Sequence, residues 1–323
     1  MNDDVLLVDN LHTSFFTRAG EVKAVGGVSF HVKKGETFGL VGESACGKTV
    51  TGLSLLRLLP EPAGKIVGGK IILNGRDIME LSKKDMREVR GKEISMILQD
   101  PMTSLNPVYT IGDQIGESIR LHRDIQEDMV EDEIILALRL LQIPAPEQRL
   151  RDYPFQMSGG MRQRVVGSIA MSCRPDLLIA DEPTTALDAT IQMQYIALFK
   201  EIQKETDVGI IFITHDSGVV ANLCHRVAVM YAGKIVETAS TSTIFKRPRH
   251  PYTIALIHSV PRLDRKDERL YSIEGQPPSL LNLPVGCRFA DRCPDVMDIC
   301  RQEQPSEIEI EDGHSVSCWK VKP

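Results

Sequence analysis

The most specific chemical signal in the sequence is a loop suited to binding phosphate. The segment Gly42-Glu43-Ser44-Ala45-Cys46-Gly47-Lys48-Thr49 has glycines, a lysine and a hydroxyl residue at the spacing of the P-loop pattern. In such a loop, backbone N–H groups and the start of the following helix bind phosphate oxygens, the lysine adds positive charge, and the hydroxyl can ligate Mg²⁺. We therefore predict a nucleotide-phosphate site formed by Gly42, Ser44, Ala45, Cys46, Gly47, Lys48, Thr49 and Val50.

Two adjacent carboxylates follow a second apolar segment, Leu177-Leu178-Ile179-Ala180. These are Asp181 and Glu182, at the end of a predicted buried strand, where open α/β sheets present residues to ligands. Neighbours on a strand point to opposite faces, so the two carboxylates can have different tasks. We expect Asp181 to hold Mg²⁺ through water and Glu182 to polarise an attacking water. Taken alone, such a pair is more often a helix cap or a solvated turn.

Alternating short apolar segments and amphipathic segments must position these residues. Strands are predicted at residues 5–8, 22–32, 36–41, 69–73, 94–98, 177–180, 209–214 and 227–230. Helical periodicity dominates from about residue 111 to 172, and helices are predicted again at 187–204 and 217–224. This alternation is typical of a parallel sheet covered by helices, so the predicted fold class is α/β.

Composition narrows the class of protein. The chain has 323 residues, 42% of them hydrophobic, and a formal net charge of -6, which disfavours a nucleic-acid-binding surface over the whole protein. No stretch approaches the roughly 18 apolar residues that a membrane span needs. The N-terminus lacks the pattern of a secretion signal, so a cytoplasmic location without disulfides is expected.

A third motif lies between the two phosphate-site elements and carries a family resemblance. Met157-Ser158-Gly159-Gly160-Met161-Arg162-Gln163-Arg164 resembles the signature of the ABC ATPase family. A small N-cap residue such as Ser158, the unpaired backbone N–H groups after it and the positive end of the helix dipole can together bind a phosphate. The resemblance implies that Ser158, Gly159, Gly160 and Met161 contact the ATP bound to an opposite subunit, in a head-to-tail dimer.

Other positions resemble the family's motifs in the same order. The resemblance implies that Gln99 senses Mg²⁺ and faces membrane subunits, that Ala186-Leu187-Asp188 forms the D-loop, and that His215 contacts the γ-phosphate. Phe15, with Phe16 as the alternative, matches the aromatic residue that stacks on adenine, and an ordinary strand position is equally compatible. Ala45 departs from the family, which usually has glycine there, so a Cβ must fit close to the phosphate-binding backbone.

The C-terminal part resembles the dipeptide and oligopeptide importer branch of the family. The resemblance rests on Arg249-His250-Pro251-Tyr252-Thr253, on Ile273-Glu274-Gly275-Gln276-Pro277-Pro278 and on the cysteine region from Gly286 to Trp319. It implies a P-loop NTPase cassette at residues 1–250, with an N-terminal antiparallel β part, a mixed or parallel RecA-like core and a helical subdomain at about 105–172. A small Cys-rich extension would follow at 251–323.

Four cysteines concentrate in that extension, at Cys287, Cys293, Cys300 and Cys318. Four thiolates suit zinc or a [4Fe–4S] cluster, and the segment has few large apolar residues with which to fold unaided. Zinc sites favour C-x2-C knuckles, which are missing, and Pro294 follows Cys293 as in ferredoxin-type ligation. Since members of the branch carry an iron–sulfur cluster here, we favour that cluster over zinc or no metal. Cys46, Cys173 and Cys224 are interpreted as ordinary buried residues.

Together these features predict an ATP-hydrolysing subunit that energises uptake of di- and oligopeptides at the cytoplasmic face of a membrane. The implied partners are a homologous second ATPase or a second copy, two transmembrane permeases and, indirectly, a solute-binding protein, with no nucleic acid. Relatives that import nickel or glutathione leave the solute open. A soluble ABC ATPase of DNA repair or translation is the alternative, disfavoured because no sustained heptads occur. A non-catalytic regulator is disfavoured by Lys48, Asp181, Glu182 and His215.

Overall fold

A computed structural model describes residues 3–99, 104–185, 188–259 and 272–322. The chain divides into two compact units, each assembled from several segments. Unit 1 comprises Met1–Leu6, His31–Thr37 and Ile72–Phe212, and unit 2 comprises Leu7–Phe30, Phe38–Ile71 and Ile213–Pro323.

The strands of the described residues are β1 (Asp4–Thr17), β2 (Gly20–Lys33), β3 (Thr37–Val41), β4 (Gly64–Leu73), β5 (Arg76–Asp77), β6 (Ile94–Ile97), β7 (Leu177–Asp181), β8 (Gly209–Thr214), β9 (Arg226–Tyr231), β10 (Lys234–Ser240), β11 (Ile308–Glu311) and β12 (His314–Val316). The helices are α1 (Lys48–Leu55), α2 (Lys83–Val89), α3 (Ile111–His122), α4 (Val130–Leu140), α5 (Pro146–Arg149), α6 (Gly159–Met171), α7 (Ala189–Thr206), α8 (Ser217–Leu223), α9 (Thr241–Lys246), α10 (Pro251–His258) and α11 (Asp298–Gln302). Short 3₁₀ turns occupy Ile78–Glu80, Glu127–Met129, Pro154–Gln156 and Ala290–Arg292.

In unit 1 the strand order is β8-β7-β6. Strands β6 and β7 are parallel, with Ile94 opposite Leu177 and Ile97 opposite Ala180. Every residue of β7 is buried. Both strands therefore end at the same edge, which places the residues that follow them side by side.

Helices α3, α4 and α6 occupy the predicted helical region of unit 1. Helix α3 begins with a capping box, in which Thr110 and Asp113 exchange side-chain and backbone hydrogen bonds. Its Ile111, Ile115 and Ile119, spaced four residues apart, have no exposed surface. This spacing puts one apolar face of the helix into the core, as its periodicity predicts.

Unit 2 carries the strand order β11-β12-β10-β9-β3. Strands β3 and β9 are parallel, whereas β9 and β10 form a hairpin around Ala232 and Gly233, both with positive φ. Two consecutive residues of positive φ are typical of a type I′ turn, which matches the twist of the flanking strands. In the other sheet, β2, β1 and β4 follow one another in that order.

The C-terminal residues extend the sheet of unit 2. Strand β12 pairs with β10 in antiparallel fashion, with Glu237 opposite Val316, and β11 pairs with β12. The buried carboxylate of Glu237 accepts hydrogen bonds from the backbone N–H groups of Arg249 and His250, at 2.7 and 2.9 Å, and lies 2.9 Å from Nε2 of His314. Residues 251–323 thus share a compact unit with the P-loop, and the predicted domain boundary at residue 250 stays a prediction.

The predicted strands recur, but β1 extends nine residues beyond the end predicted at 8 and β4 begins five residues before the start predicted at 69, and the two-residue strand β5 was not predicted. Several others differ little at their ends. The strand predicted at 209–214 is β8, the one at 177–180 is β7 with one residue more, and the one at 94–98 is β6 with one residue fewer. Strands β10, β11 and β12 were not predicted. No helix among the described residues has the length and apolar character needed to cross a membrane.

Candidate functional site

The P-loop connects β3 to α1 in unit 2, and its two glycines have conformations that side chains would block. Gly42 has φ 151 and Gly47 has φ 107. A Cβ on Gly42 would lie 2.1 Å from the carbonyl oxygen of Met230, and one on Gly47 would lie 2.4 Å from that of Ala24. Only glycine fits at either position, which explains the motif in physical terms.

The side chain of Lys48, the first residue of α1, reaches back to the first residues of the P-loop. Its ammonium donates hydrogen bonds to the carbonyl oxygens of Gly42, at 2.8 Å, and Glu43, at 3.0 Å, and its side chain is buried. Helix α1 starts at Lys48 after Gly47, and no side chain caps it. The first turn therefore keeps backbone N–H groups that a phosphate could accept from. Thr49, exposed in the same turn, presents a hydroxyl oxygen beside them.

The departure at Ala45 is accommodated in a left-handed conformation, with φ 61. Its side chain is exposed, as is that of Ser44, so the methyl group meets solvent rather than packed backbone. Cys46 is buried, and burial raises the pKa of its thiol although Lys48 acts in the opposite direction. The loop thus holds a neutral thiol beneath its phosphate-binding face.

Unit 2 also contains the predicted adenine and γ-phosphate residues. Phe15 lies half-buried on β1, whereas the alternative, Phe16, is 48% exposed with the ammonium of Lys65 5.6 Å from its ring centre. His215 follows β8 directly and is exposed. The next residue, Asp216, caps α8 by accepting from the N–H groups of Gly218 and Val219.

In unit 1, the carboxylate of Glu182 has two partners beyond the edge of the sheet. It accepts a hydrogen bond from the Gln99 amide at 3.1 Å and another from the Thr185 hydroxyl at 3.0 Å. Gln99 and Glu182 each lie two residues past the paired positions Ile97 and Ala180, so the parallel register brings them together. Asp181 is buried at the end of β7. Sequence reasoning missed Thr185, although its position three residues after Glu182 suits a side-chain contact across a turn.

The signature and D-loop residues of unit 1 start two helices. Ser158 caps α6, accepting from the N–H of Met161 at 3.3 Å, and Asp188 caps α7, accepting from Thr190 and Ile191, both at 3.0 Å. Gly159 is exposed, and a Cβ built on it meets no atom within 4 Å. The start of α6 is therefore open to a ligand. Ala186 and Leu187, the other predicted D-loop residues, lie outside the described residues.

The four C-terminal cysteines line one small cavity of about 10 Å³ in unit 2, together with Phe289, Met297 and Trp319. All seven cysteines of the chain are free thiols, and Cys46, Cys173 and Cys224 are buried as predicted. Cys287 and Cys300 are also linked through the backbone, where the Cys287 N–H donates to the Cys300 carbonyl at 2.7 Å. As placed, no three His, Cys, Asp or Glu side chains among the described residues are arranged to hold a metal ion.

Comparison with protein families places two models on the chain. The ABC transporter model matches residues 25–185, and the model of the oligopeptide/dipeptide transporter C-terminal region matches residues 236–300. The first contains the P-loop, Gln99, the signature and both carboxylates, and the second includes Cys287, Cys293 and Cys300.

Curated relatives match over the full length. The dipeptide transport ATP-binding protein of Bacillus subtilis is 53% identical, with 98% of this chain and 95% of the relative covered. A probable peptide ABC transporter ATP-binding protein of Sinorhizobium fredii is 52% identical over 98% of this chain and 95% of its own length. The oligopeptide transport ATP-binding protein of B. subtilis is 49% identical, with 99% of this chain and 89% of the relative covered.

Solved structures agree on the fold. A dimeric ATP-binding cassette in a post-hydrolysis state with ADP and phosphate superimposes with a TM-score of 0.65 at 20% identity, over 73% of this chain and 98% of that one. The cbiO1 protein of Clostridium perfringens, part of an ABC transporter complex, superimposes with a TM-score of 0.65 at 25% identity. The match covers 76% of this chain and 92% of that one. The predicted cassette fold is thereby confirmed. On its full-length similarity to the curated relatives, the chain belongs to the ATP-binding proteins of the dipeptide and oligopeptide ABC transporter family.

Proposed function

We propose that this chain is the ATP-hydrolysing subunit that energises uptake of di- and oligopeptides through an ABC importer. The substrate class is supported by its full-length relatives, which are dipeptide and oligopeptide transport ATP-binding proteins. The observation that carries the hydrolytic part is the carboxylate of Glu182, held by Gln99 and Thr185 at the edge of a buried parallel sheet.

Phosphate binding falls to the P-loop in this proposal. Gly42 and residues 44–50 surround the β- and γ-phosphates, while Lys48 exchanges its contacts with the Gly42 and Glu43 carbonyls for phosphate oxygens. Phe15 stacks on the adenine. The hydroxyl of Thr49, the carboxylate of Asp181 and the amide oxygen of Gln99 are oxygen donors of the kind that Mg²⁺ prefers, and the bound ion neutralises charge on the phosphates.

Hydrolysis requires a water aligned with the γ-phosphate and a group that accepts its proton. Glu182 takes that role, since its carboxylate follows the buried end of β7 and is held there by Gln99 and Thr185. His215 contacts the γ-phosphate, and Gln99 relays the state of the site to the permease subunits. Donation from Gln99 and Thr185 fixes the orientation of the carboxylate toward the attacking water.

The proposal includes a second ATPase subunit, homologous or identical. Ser158, Gly159, Gly160 and Met161 at the start of α6 bind the ATP held by that partner, and Asp188 belongs to the same interface. The open N-terminus of α6 supports this role. With two permeases and, indirectly, a solute-binding protein, the complex places this chain at the inner face of the membrane as a peripheral subunit.

Glu182→Gln tests the hydrolytic proposal in the full-length chain. Turnover should fall about 100-fold or more, because the general base is lost while ATP binding is kept. Size exclusion with ATP should then show a trapped dimer for the variant and a transient one for wild type. Wild-type protein with no Glu182-dependent turnover, even with its partner subunits added, would contradict the proposal.

We further propose that residues 251–323 form an extension to a cassette of residues 1–250, with the helical subdomain at about 105–172, and that the extension holds a [4Fe–4S] cluster. Cys287, Cys293, Cys300 and Cys318 would be its ligands. The proposal is supported by the all-thiol donor set and by the position of the four cysteines around one small cavity. When bound, the cluster supplies cross-links that a segment with few apolar residues otherwise lacks.

Iron and acid-labile sulfide should be measured in protein purified without oxygen. Four of each per chain, reduced in Cys293→Ser but not in Cys224→Ser, would match the proposal. Cys224 is a suitable control because it is a free buried thiol remote in sequence from the four. Stoichiometric zinc, or no metal at all, would contradict it.

A further inference from the structure

The second residue of the P-loop, Glu43, is held by side chains from far along the chain in unit 2. Arg292 forms a bidentate pair with its carboxylate, with Nη1 2.8 Å from Oε2 and Nη2 3.0 Å from Oε1. The backbone N–H of Glu43 donates to the hydroxyl of Tyr252 at 2.9 Å. Both the backbone and the side chain of this loop residue are therefore fixed by residues 251–323.

Arg292 is itself immobilised. Its Nε donates to the Glu274 carbonyl at 3.0 Å and Nη2 to that of Ile273 at 3.2 Å, while Nη1 also lies 3.3 Å from the hydroxyl oxygen of Tyr231. Only 5% of the Arg292 side chain is exposed. A planar guanidinium with every edge occupied is a rigid connector rather than a mobile surface charge.

An aromatic cluster behind the pair reinforces this arrangement. The rings of Tyr231 and Tyr252 lie 4.6 Å apart, and Phe289 packs against both, at 5.2 and 5.4 Å. Arg292 ends the 3₁₀ turn Ala290–Arg292, directly before Cys293. The cysteine cavity and the P-loop are thus joined by a continuous set of packed and hydrogen-bonded side chains.

Charge gives the pair a role in nucleotide binding. A carboxylate within the loop would repel the triphosphate that the loop is proposed to bind, because like charges a few ångströms apart oppose each other. Arg292 neutralises Glu43 and holds its carboxylate in one place. Glu43 is 75% shielded from solvent, at 25% side-chain exposure, so water alone would screen it poorly.

We propose that Arg292 is a positioning residue of the nucleotide site, which sets ATP affinity by neutralising Glu43 and, with Tyr252, fixing the start of the P-loop. The inference rests on the proposed function, since it assumes that the loop binds ATP. It assigns the C-terminal extension a direct part in nucleotide binding.

The test is a double-mutant comparison of the full-length chain by calorimetric titration with Mg-ADP. Arg292→Met should weaken binding about 10-fold, because it leaves a carboxylate unpaired in the loop. Glu43→Gln together with Arg292→Met should bind within about 3-fold of wild type, since the repulsive charge is gone. The defect of Arg292→Met should also shrink at high salt, where charge repulsion is screened. Arg301→Met is the matched control, because Arg301 forms an exposed pair with Asp291 in the same extension.

A merely structural role for Arg292 predicts a different pattern. Equal affinity of wild type and Arg292→Met would overturn the inference while leaving the proposed function intact. A double variant as weak as Arg292→Met would overturn it too, because the effect would not pass through Glu43. Wild-type protein that binds no nucleotide would overturn the proposed function and this inference together. Should Arg292→Met fail to fold, Arg292→Gln with and without Glu43→Gln repeats the comparison.

Discussion

Two residues of the nucleotide motifs have backbone conformations that disfavour their side chains. Glu182 has φ 46 and Ala45 has φ 61, both in the left-handed region. For residues other than glycine this conformation costs about 1 kcal/mol or more, and it persists where the surroundings impose it. At Glu182 the left-handed backbone conformation occurs together with the hydrogen bonds from Gln99 and Thr185. The backbone strain therefore accompanies the arrangement that orients the carboxylate. At Ala45 no such contact accompanies it.

Ala45→Gly is therefore expected to stabilise the protein. Glycine adopts positive φ without steric cost, which outweighs its greater freedom in the unfolded chain, so the gain should be up to about 1 kcal/mol. Thermal unfolding should show a midpoint raised by a few degrees. Ala45→Val is the opposing control and should lower the midpoint, because a β-branched residue is strained further. A lower midpoint for the glycine variant would contradict the argument.

Thr185→Val should reduce ATP turnover about 3- to 10-fold with little change in KM, because the carboxylate of Glu182 loses the orienting donor that the Thr185 hydroxyl provides. Thr185→Ser keeps the hydroxyl and should retain most of the activity. The measurement is steady-state ATPase kinetics of both variants. The role assigned to Thr185 would be wrong if serine and valine behaved alike.

At the scale of elements, ion pairs join helices α3 and α4 of unit 1. Arg123, at the C-terminal end of α3, contacts both carboxylate oxygens of Glu133 on α4, and Arg174 lies 3.3 Å from the same group. The hydrogen bonds from Arg123 are the main reason why the pKa of Glu133 lies below its ordinary value. Glu133 is shielded from solvent, which favours a measurable contribution to stability over that of a surface pair.

Glu133→Gln should lower stability by about 1 kcal/mol at neutral pH. Because the folded-state pKa is depressed, the contribution of Glu133 is complete above its ordinary pKa of about 4.5 and is lost as pH falls through the lowered value. Chemical denaturation at several pH values should therefore show wild type and variant converging below pH 4.5. Exposed Glu131 on the same helix provides the control, and a difference that persists unchanged in acid would refute the assignment.

The elements that the sequence predicted best are β8 and α8, whose predicted segments 209–214 and 217–224 match the structure to within one residue. Helices α3, α4 and α6 lie within the helical region predicted at about 111–172. Strands β11 and β12 were missed because they are short and β12 pairs with β10, far away in sequence, which no local pattern reveals. Strand β10 was missed although its hairpin with β9 is local. The same limit explains which contacts of the nucleotide site could be predicted from the sequence. Glu182 was recognised by its strand, whereas the pair of Glu43 with Arg292 joins positions 249 residues apart.

At the scale of the whole molecule, the last strands of the chain extend the sheet of unit 2, which also carries the P-loop. The P-loop and residues 251–323 belong to the same compact unit, in which β12 covers the edge of β10. His314 of β12 also lies 2.9 Å from the buried carboxylate of Glu237 on β10. Removing the last strands would leave both an open edge and a buried charge without one of its partners.

A chain shortened to end at residue 303 should therefore self-associate. Light scattering and size exclusion should show oligomers for the shortened chain, whereas full-length His314→Gln should be less stable but remain dispersed, because its strand is intact. A shortened chain that stays dispersed at high concentration would show that β12 does not protect the edge of β10.

The hairpin at Ala232 and Gly233 carries one more consequence. The N–H of Gly233 donates to the carbonyl of Cys46 at 2.8 Å, and the N–H of Gly26 donates to the carbonyl of Gly233 at 2.7 Å. Backbone hydrogen bonds thus connect the P-loop to the β9–β10 turn. These bonds do not depend on which side chains the connected residues carry. Amide hydrogens at Gly233 and Gly26 should therefore exchange slowly with solvent even without bound nucleotide. Because the backbone sets the shape of the phosphate-binding loop, side chains near the turn can change during evolution without altering that shape.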